Sequence, residues 1–277
     1  MITVELAKLF TRPRMYVIVA LLCLLPFIVA IFLATTRIPP PPGQGGAFLS
    51  AVLSNGALYP AAAMALVLPV FLPVSVAVLA GDSVAGEASA GTLRYLLVRP
   101  VGRSRLLVAK LISLIVFVLF AILSVLVTSY VTGVLLFGAS TSSAGVALPP
   151  DVTSLSGVTI SPAGLAMRLL GTVAYIVVSM LGVAAIALFL STVTDSALGA
   201  AMGALATLVT SQVLVTLDAA AAIRPYLPTR YWLAWIDFFR EPILWRDIER
   251  GVGIQAVYVL VFLGAAWANF ATRDVTS

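Results

Sequence analysis

The residues of this 277-residue sequence that could do chemistry are few, and they form no recognisable catalytic set. There is no histidine, which removes the commonest general base and metal ligand and makes a Ser-His dyad impossible. The single cysteine, Cys23, stands inside an apolar run and can form no disulfide within the chain. Asp82 and Glu87 lie too close together in one segment to be read as an acid–base pair. We therefore expect no catalytic residue, no metal site and no enzyme activity.

A nucleotide site is also not expected in this chain. A phosphate-binding loop needs Gly-x-x-x-x-Gly-Lys-Ser/Thr, and the sequence contains no Gly-Lys pair. The glycines at Gly43, Gly45 and Gly46 follow four consecutive prolines, which is typical of an irregular linker. We expect no cofactor here, and any ATP-driven role would place ATP and Mg²⁺ in a partner subunit.

The composition indicates a membrane protein. Hydrophobic residues make up 61% of the chain and charged residues 10%, against about 45–50% and about 25% in soluble domains. Six apolar runs without Asp, Glu, Lys or Arg are long enough to span a bilayer. They cover residues 15–34, 58–80, 111–137, 169–190, 197–217 and 252–270. Because the runs are continuous rather than alternating, we predict one all-α polytopic domain over residues 1–277, with six transmembrane helices.

The first run could instead be a cleaved signal peptide, since Lys8, Arg12 and Arg14 precede it. We favour a retained span, because the run exceeds a typical h-region and Phe32-Leu33-Ala34 is a poor cleavage site.

The basic residues predict the orientation of the spans. Three precede the first run, and five more lie in the loop of residues 81–110, which predicts both termini in the cytoplasm. Residues 1–10 predict an amphipathic helix along the cytoplasmic interface. Its two faces consist of Ile2, Leu6, Leu9 and Phe10 on one side and Thr3, Glu5 and Lys8 on the other.

Two runs carry residues that affect helix packing. Pro60, Pro69 and Pro73 lie in the second run and should kink it. In the fifth run, Gly199 and Gly203 have the small-x-x-x-small spacing that lets helix backbones approach closely. This approach could occur within the chain or across a dimer.

The loop of residues 81–110 has an ordered composition that a linker would not need. Thr92 is a possible cap for a short helix that Pro100 would end. A short helix with both acidic and basic residues on the cytoplasmic face would suit docking of a soluble partner. The alternative is a basic loop that touches only lipid headgroups.

This loop resembles the cytoplasmic loop after the second span in permease subunits of type-2 ABC exporters. The resemblance rests on Gly86-Glu87, Gly91-Thr92-Leu93-Arg94 and Leu96-Leu97-x-x-Pro100-x-x-Arg103. The segment Phe270–Val275 also resembles the ending of that family, and the likeness covers essentially the whole chain.

The resemblance implies that the loop is a coupling helix seated in a cleft of a separate ATP-hydrolysing subunit. Two such ATPases and a second copy of the permease, or a related permease, would then be the partners in a bacterial cell membrane, with lipid around them and no nucleic acid. The docking residues implied in this way are Glu87, Gly91, Thr92, Leu93, Arg94, Pro100 and Arg103.

The resemblance also implies a path between the second and fifth spans for a lipid-like or amphipathic small molecule. The side chains near it would be Met64, Leu68, Phe71, Met202, Leu205 and Gln212. From the residues alone, Gln212 is a long polar side chain within the fifth run and is hard to bury unsatisfied. An ion-coupled secondary transporter is the alternative, although the charge-free runs disfavour a proton relay.

An aromatic segment separates the fifth and sixth runs, over residues 218–250. Trp232, Trp235 and Phe239 share one helical face, and Pro242 would break the helix. We predict one or two short interfacial or re-entrant helices, which in the resembling family close the external exit. The alternative is an aromatic belt that only anchors the chain at headgroup level.

Overall fold

The computed structural model describes residues 2–36, 52, 56–89, 103–138, 152–153 and 155–272. These residues form eight α-helices, with a 3-10 turn at Gly56–Leu58 leading into the third. The helices are α1 (Ile2–Thr11), α2 (Pro13–Thr36), α3 (Tyr59–Val67), α4 (Phe71–Ser89), α5 (Arg103–Phe137), α6 (Pro162–Val193), α7 (Ala197–Thr216) and α8 (Trp245–Thr272).

Five of these helices are long and apolar enough to cross a membrane: α2, α5, α6, α7 and α8. The pair α3 and α4 passes the same test together, but it is bent by 55° and counts as a sixth crossing only if it is one broken span. The prediction of an all-α polytopic protein is therefore confirmed in its main point. The described residues add one small β-hairpin, which consists of two two-residue strands.

Prolines explain the bend in the second apolar run. Pro69 lies in the turn between α3 and α4, where its missing N–H and its ring exclude a regular helix. Pro60 and Pro73 both stand in the first turns of their helices, where a backbone N–H has no acceptor within the helix and its absence costs little. The three prolines thus divide one apolar run into two helices instead of gently curving it.

The helices extend beyond the apolar runs at the end of the bundle that carries the N-terminus, called here the charged end. α4 continues through Asp82 and Glu87 to Ser89, and α5 already begins at Arg103. The flanks of the predicted loop of residues 81–110 are thus helical. The coupling helix predicted between Thr92 and Pro100 falls outside the described residues, as does the ending after Thr272.

Close packing of small residues joins α4 to α6 and α7. The Ser191 hydroxyl donates to the Gly81 carbonyl at 2.7 Å and accepts from the N–H of Ala85 at 2.9 Å. A Cβ at Gly81 would lie 2.8 Å from the backbone nitrogen of Ala201, so α4 and α7 are in backbone contact. Ala201 of the fifth run therefore packs within the chain, whereas Gly199 of the predicted small-x-x-x-small pair is exposed and Gly203 is partly buried.

At the opposite end, irregular structure caps the bundle. Strands β1 (Val152–Thr153) and β2 (Thr159–Ile160) form an antiparallel hairpin, with Val152 opposite Ile160. Between α7 and α8 the chain makes three 3-10 turns: Asp218–Ala220, Arg224–Tyr226 and Ala234–Phe239. The predicted short helices of the aromatic segment are thus 3-10 turns, and α8 begins earlier than its apolar run, at Trp245.

Candidate functional site

A buried ion cluster holds three helices together at the charged end. The Lys110 ammonium of α5 is 2% exposed and donates to a Glu87 carboxylate oxygen of α4 at 2.8 Å and to the Ser83 carbonyl at 2.5 Å. The other Glu87 oxygen accepts from Lys8 of α1 at 2.9 Å. Glu5 lies 3.3 Å from Lys8 and 3.7 Å from Lys110. Two lysines and two glutamates thus balance in a site where Lys8 alone is substantially exposed, at 36% of its side chain.

The cluster uses both lysines of the chain, whose other fourteen basic residues are arginines. A lysine suits this position because its slender stem passes between packed helices and ends in a compact charge with three donors. For Lys8, burial lowers the pKa, but the hydrogen bond and charge of Glu87, with the charge of Glu5, raise the pKa above its ordinary value of 10.5. Lys8 is therefore a cation at every physiological pH.

The position of Glu5 differs from the simple interfacial helix expected for residues 1–10. Glu5 is 9% exposed and faces the bundle, whereas the apolar side chains of Ile2 and Val4 are 42% and 51% exposed. Phe10 is also 37% exposed, and its ring lies edge to face with that of Phe120 at 5.7 Å. A helix beside lipid gains by turning its carboxylate toward the protein's own cations, because hydrocarbon offers the carboxylate no partner.

A second ion group adjoins the first. Arg12, between α1 and α2, and Arg14, in the first turn of α2, both donate to the same oxygen of Asp82 in α4. Gly86 lies one turn beyond Asp82, and a Cβ there would approach the Asp82 carboxylate to 2.3 Å. Within this chain, the Gly86-Glu87 pair therefore serves packing and ion pairing at the end of α4.

These groups line a cavity of about 530 Å³ at the charged end. This volume is in the range of small-ligand sites. Its apolar wall includes Leu9, Met15, Leu79 and Leu114. Its charged wall consists of Glu5, Lys8, Arg12, Arg14, Asp82, Glu87 and Lys110, which is one more base than acid.

Of the predicted docking residues, the structure places Glu87 in this cluster, with 7% of its surface exposed. The backbone of Arg103 begins α5. The remaining docking residues lie outside the described part of the chain. They are Gly91, Thr92, Leu93, Arg94 and Pro100.

The predicted path residues differ in their exposure on the chain. Met64 and Leu68 are buried in the core, whereas Phe71 and Met202 are 44% and 57% exposed on the surface of the chain. Leu205 is half-buried against the core. This division places Phe71 and Met202 where a second subunit or lipid would contact them, and Met64 and Leu68 where only this chain does.

Gln212 adjoins a separate cavity of about 40 Å³ beside the bend of the second run. Its Oε1 atom is buried and has no hydrogen-bond partner among the described residues. Pro69, Arg230 and Trp232 also line this cavity. The volume is sufficient for about two or three water molecules.

The three predicted gate residues are buried within the chain. Trp232, Trp235 and Phe239 are 4%, 0% and 1% exposed, and the rings of Trp235 and Phe239 meet edge to face at 6.0 Å. An anchor at headgroup level would expose these rings, as Trp245 does at 54%. Trp232 and Trp235 therefore form part of the core that caps the bundle.

This burial makes a direct prediction for stability. Replacement Trp235→Ala should lower the free energy of unfolding by about 3–5 kcal/mol, because it leaves a large cavity in a packed core. The measurement is thermal unfolding of the purified protein in a mild detergent. Trp245→Ala is the matched control, since its ring is half exposed and contacts Phe238 from outside. Equal losses for the two variants would contradict the assignment of Trp235 to the core.

Sequence reasoning missed the pairing of Glu5, Lys8 and Lys110. A signal was present, because the first 150 residues contain only three acids, Glu5, Asp82 and Glu87, and all three line the cavity. When a few carboxylates lie among many basic residues at one end of a helical bundle, ion pairs between them are expected. The cluster could not be read from the sequence, because Glu87 is 23 positions from Lys110 and 79 from Lys8, and only Glu5 and Lys8 are close in the chain.

The long apolar helices, with the charged side chains paired at one end of the bundle, place the chain in the class of all-α polytopic membrane proteins. The chain belongs to the family described as "Protein of unknown function (DUF2705)", whose model matches residues 27–276. The matched range includes Asp82, Glu87 and Lys110 and begins after α1. A search among curated proteins found no match.

Proposed function

We propose that the chain is the membrane-spanning permease subunit of an ATP-driven ABC exporter. In this proposal it forms the path for a lipid-like or amphipathic small molecule and couples to a separate ATPase subunit. The support comes from the docking-loop pattern between Gly86 and Arg103, together with the way the two flanks of that loop are mounted in the bundle.

The mounting of the loop is the observation that carries the proposal. The loop leaves α4 after Ser89 and enters α5 at Arg103, and the Glu87–Lys110 pair joins these two helices just inside it. Lys8 ties α1 to the same pair. A force on the loop would therefore move α1, α4 and α5 together, because separating them would expose buried charges.

The helix contacts also support transmission of such a movement. α4 is in backbone contact with α7 at Gly81 and Ala201, and it is bonded to α6 through Ser191. The break at residues 68–70 separates α4 from α3, so α4 can tilt while α3 stays packed. Displacement of α4 would thus act on α7, which carries Met202, Leu205 and Gln212.

In the proposed assembly, the bent pair counts as one span, which gives six crossings and leaves both termini in the cytoplasm. Two permease copies, or this chain and a related one, would pair with two ATPases. The exposed Phe71 and Met202 would face the second copy. The aromatic segment would close the outer side of the path, with Trp232, Trp235 and Phe239 holding it in place.

Ion-coupled transport finds less support. The six apolar runs carry no charged side chain, and the charges of the described helices lie outside these runs. The described residues also contain no group of acidic residues and Cys suited to a metal ion. Coupling by a buried charge at mid-span has no candidate among them.

Arg94 provides the sharpest test of docking, because Glu87 is committed to the buried cluster and its replacement would mix docking with folding. The chain would be reconstituted with an ATPase that co-purifies with it. Arg94→Ala should reduce permease-dependent ATP hydrolysis roughly tenfold or more, the effect of truncating one partner of a desolvated charge pair. The unfolding temperature should stay unchanged.

Arg99→Ala is the matched control, because Arg99 lies in the same loop at a position outside the docking pattern. It should retain ATP hydrolysis. If Arg94→Ala and Arg99→Ala behave alike, or if no ATPase assembles with the chain, the docking proposal is wrong.

A further inference from the structure

The cavity at the charged end has an unbalanced positive charge at one side. Lys8 and Lys110 are matched by Glu5 and Glu87, whereas Arg12 and Arg14 share the single carboxylate of Asp82. Both arginine side chains remain nearly half exposed, at 48% and 43%. Among the described residues, one guanidinium charge at the mouth of the cavity therefore has no matching carboxylate and can attract an anion.

The backbone adds to this preference for an anion. α2 begins at Pro13 and runs for 24 residues, and Pro13, Arg14 and Met15 in its first turn line the cavity. The positive end of the dipole of α2 lies at this turn, where Pro13 has no N–H and the Met15 N–H donates to the Arg12 carbonyl at 3.2 Å. Together with two guanidiniums, which match phosphate geometry by donating two parallel hydrogen bonds, this is a site chemistry suited to phosphate.

The surface next to the arginines indicates which kind of phosphate-containing molecule would bind there. An exposed apolar stripe begins one turn after Arg14 and follows α2 away from the charged end, with all its members at least 43% exposed. It consists of Val17, Leu21, Leu24, Ile28 and Ile31. A molecule with its phosphate at Arg12 and Arg14 would extend directly along this stripe, provided that it carried a long hydrocarbon chain.

We propose that Arg12 and Arg14 bind the phosphodiester of an anionic phospholipid, with its headgroup at the mouth of the cavity and an acyl chain along α2. The phosphodiester of the lipid neutralises the guanidinium charge that Asp82 does not balance. Since α1 contributes Lys8 and Leu9 to the same cavity, the bound lipid also joins α1 to α2 and α4. The site does not depend on an ATPase partner, so failure of the proposed transport function would leave it intact.

The test uses the full chain in an uncharged detergent, with bound lipid counted by native mass spectrometry and stability followed by thermal unfolding. The probes are dioleoyl phosphatidylglycerol, dioleoyl phosphatidylcholine and inorganic phosphate. We expect phosphatidylglycerol to bind and to raise the unfolding temperature, and the zwitterionic lipid and free phosphate to do so much less. Equal stabilisation by inorganic phosphate would overturn the assignment to lipid, and equal binding of phosphatidylcholine would overturn the role of net charge.

Variants at the site give opposite expected shifts. Arg12→Gln with Arg14→Gln should weaken phosphatidylglycerol binding about tenfold or more, the scale of one lost charge-assisted hydrogen bond. Asp82→Asn should strengthen binding several-fold, because it frees both guanidiniums. A purely structural role for the Arg–Asp group would weaken binding in both variants, and that outcome would overturn the proposal.

Arg246→Gln with Arg250→Gln is the matched control. It removes the same charge from two exposed arginines in the first turns of α8, at the other end of the bundle. Binding should be unchanged. If the double arginine variant of the charged end fails to fold, the Asp82→Asn result still decides the question.

Discussion

Replacement of Lys110 by Met should destabilise the protein more than any other single change at the charged end. Lys110 is 2% exposed and neutralises Glu87 at 2.8 Å and Glu5 at 3.7 Å. Without it, two largely buried carboxylates share one half-exposed lysine, Lys8. Removing one partner of a buried ion pair costs about 3–5 kcal/mol, so thermal unfolding in detergent should shift sharply to lower temperature.

Two further variants distinguish the effect of the lost charge balance from the effect of the changed side-chain shape. Arg105→Met removes an exposed cation from the same helix and should change stability by less than about 0.5 kcal/mol. Adding Glu87→Gln to Lys110→Met restores the balance between Glu5 and Lys8, and should recover most of the loss. If the single variant is as stable as Arg105→Met, the cluster does not hold the helices together.

Replacement of Gly81 by Leu should separate α4 from α7. A Cβ at this position would lie 2.8 Å from the nitrogen and 3.0 Å from the Cα of Ala201, and backbone atoms cannot move aside as a flexible side chain can. The same shift would disturb the bond from Ser191 to the Gly81 carbonyl. Overpacking of this kind costs about 1–3 kcal/mol, measured as a lower unfolding temperature.

Gly253→Leu is the matched control, because Gly253 is also helical and a Cβ at this position would have no neighbouring atom within 4 Å among the described residues. It should unfold like the parent protein. Adding Ala201→Gly to Gly81→Leu should not restore stability, because the clash is with the backbone. Full rescue by that change would show that the helices are held apart only by the Ala201 side chain.

The helices themselves could be predicted from the sequence, because a bilayer-spanning helix satisfies its backbone locally and needs only a long apolar run. The bend at Pro69 could also be predicted, because proline lacks the N–H whatever its surroundings. The helix boundaries at Ser89 and Arg103 could not. Charged residues end an apolar run but not a helix, provided that the charges find partners nearby.

The candidate site was only partly predictable. Glu87 stood out because it belongs to a recognisable pattern, but its partners Lys8 and Lys110 come from two other helices. The same holds for Trp235, whose amphipathic ring could equally have anchored at an interface until the packing of residues 234–239 buried it.

The sequence by itself determined the apolar runs and the scarcity of reactive side chains: no histidine, one cysteine, and charges kept out of six apolar runs. Only the tertiary structure decided what its few carboxylates do. Glu5, Asp82 and Glu87 meet the lysines and arginines of other helices around one cavity. The physical reason is that membrane-spanning helices follow from local hydrophobicity, whereas the pairing of buried charges depends on which helices pack together.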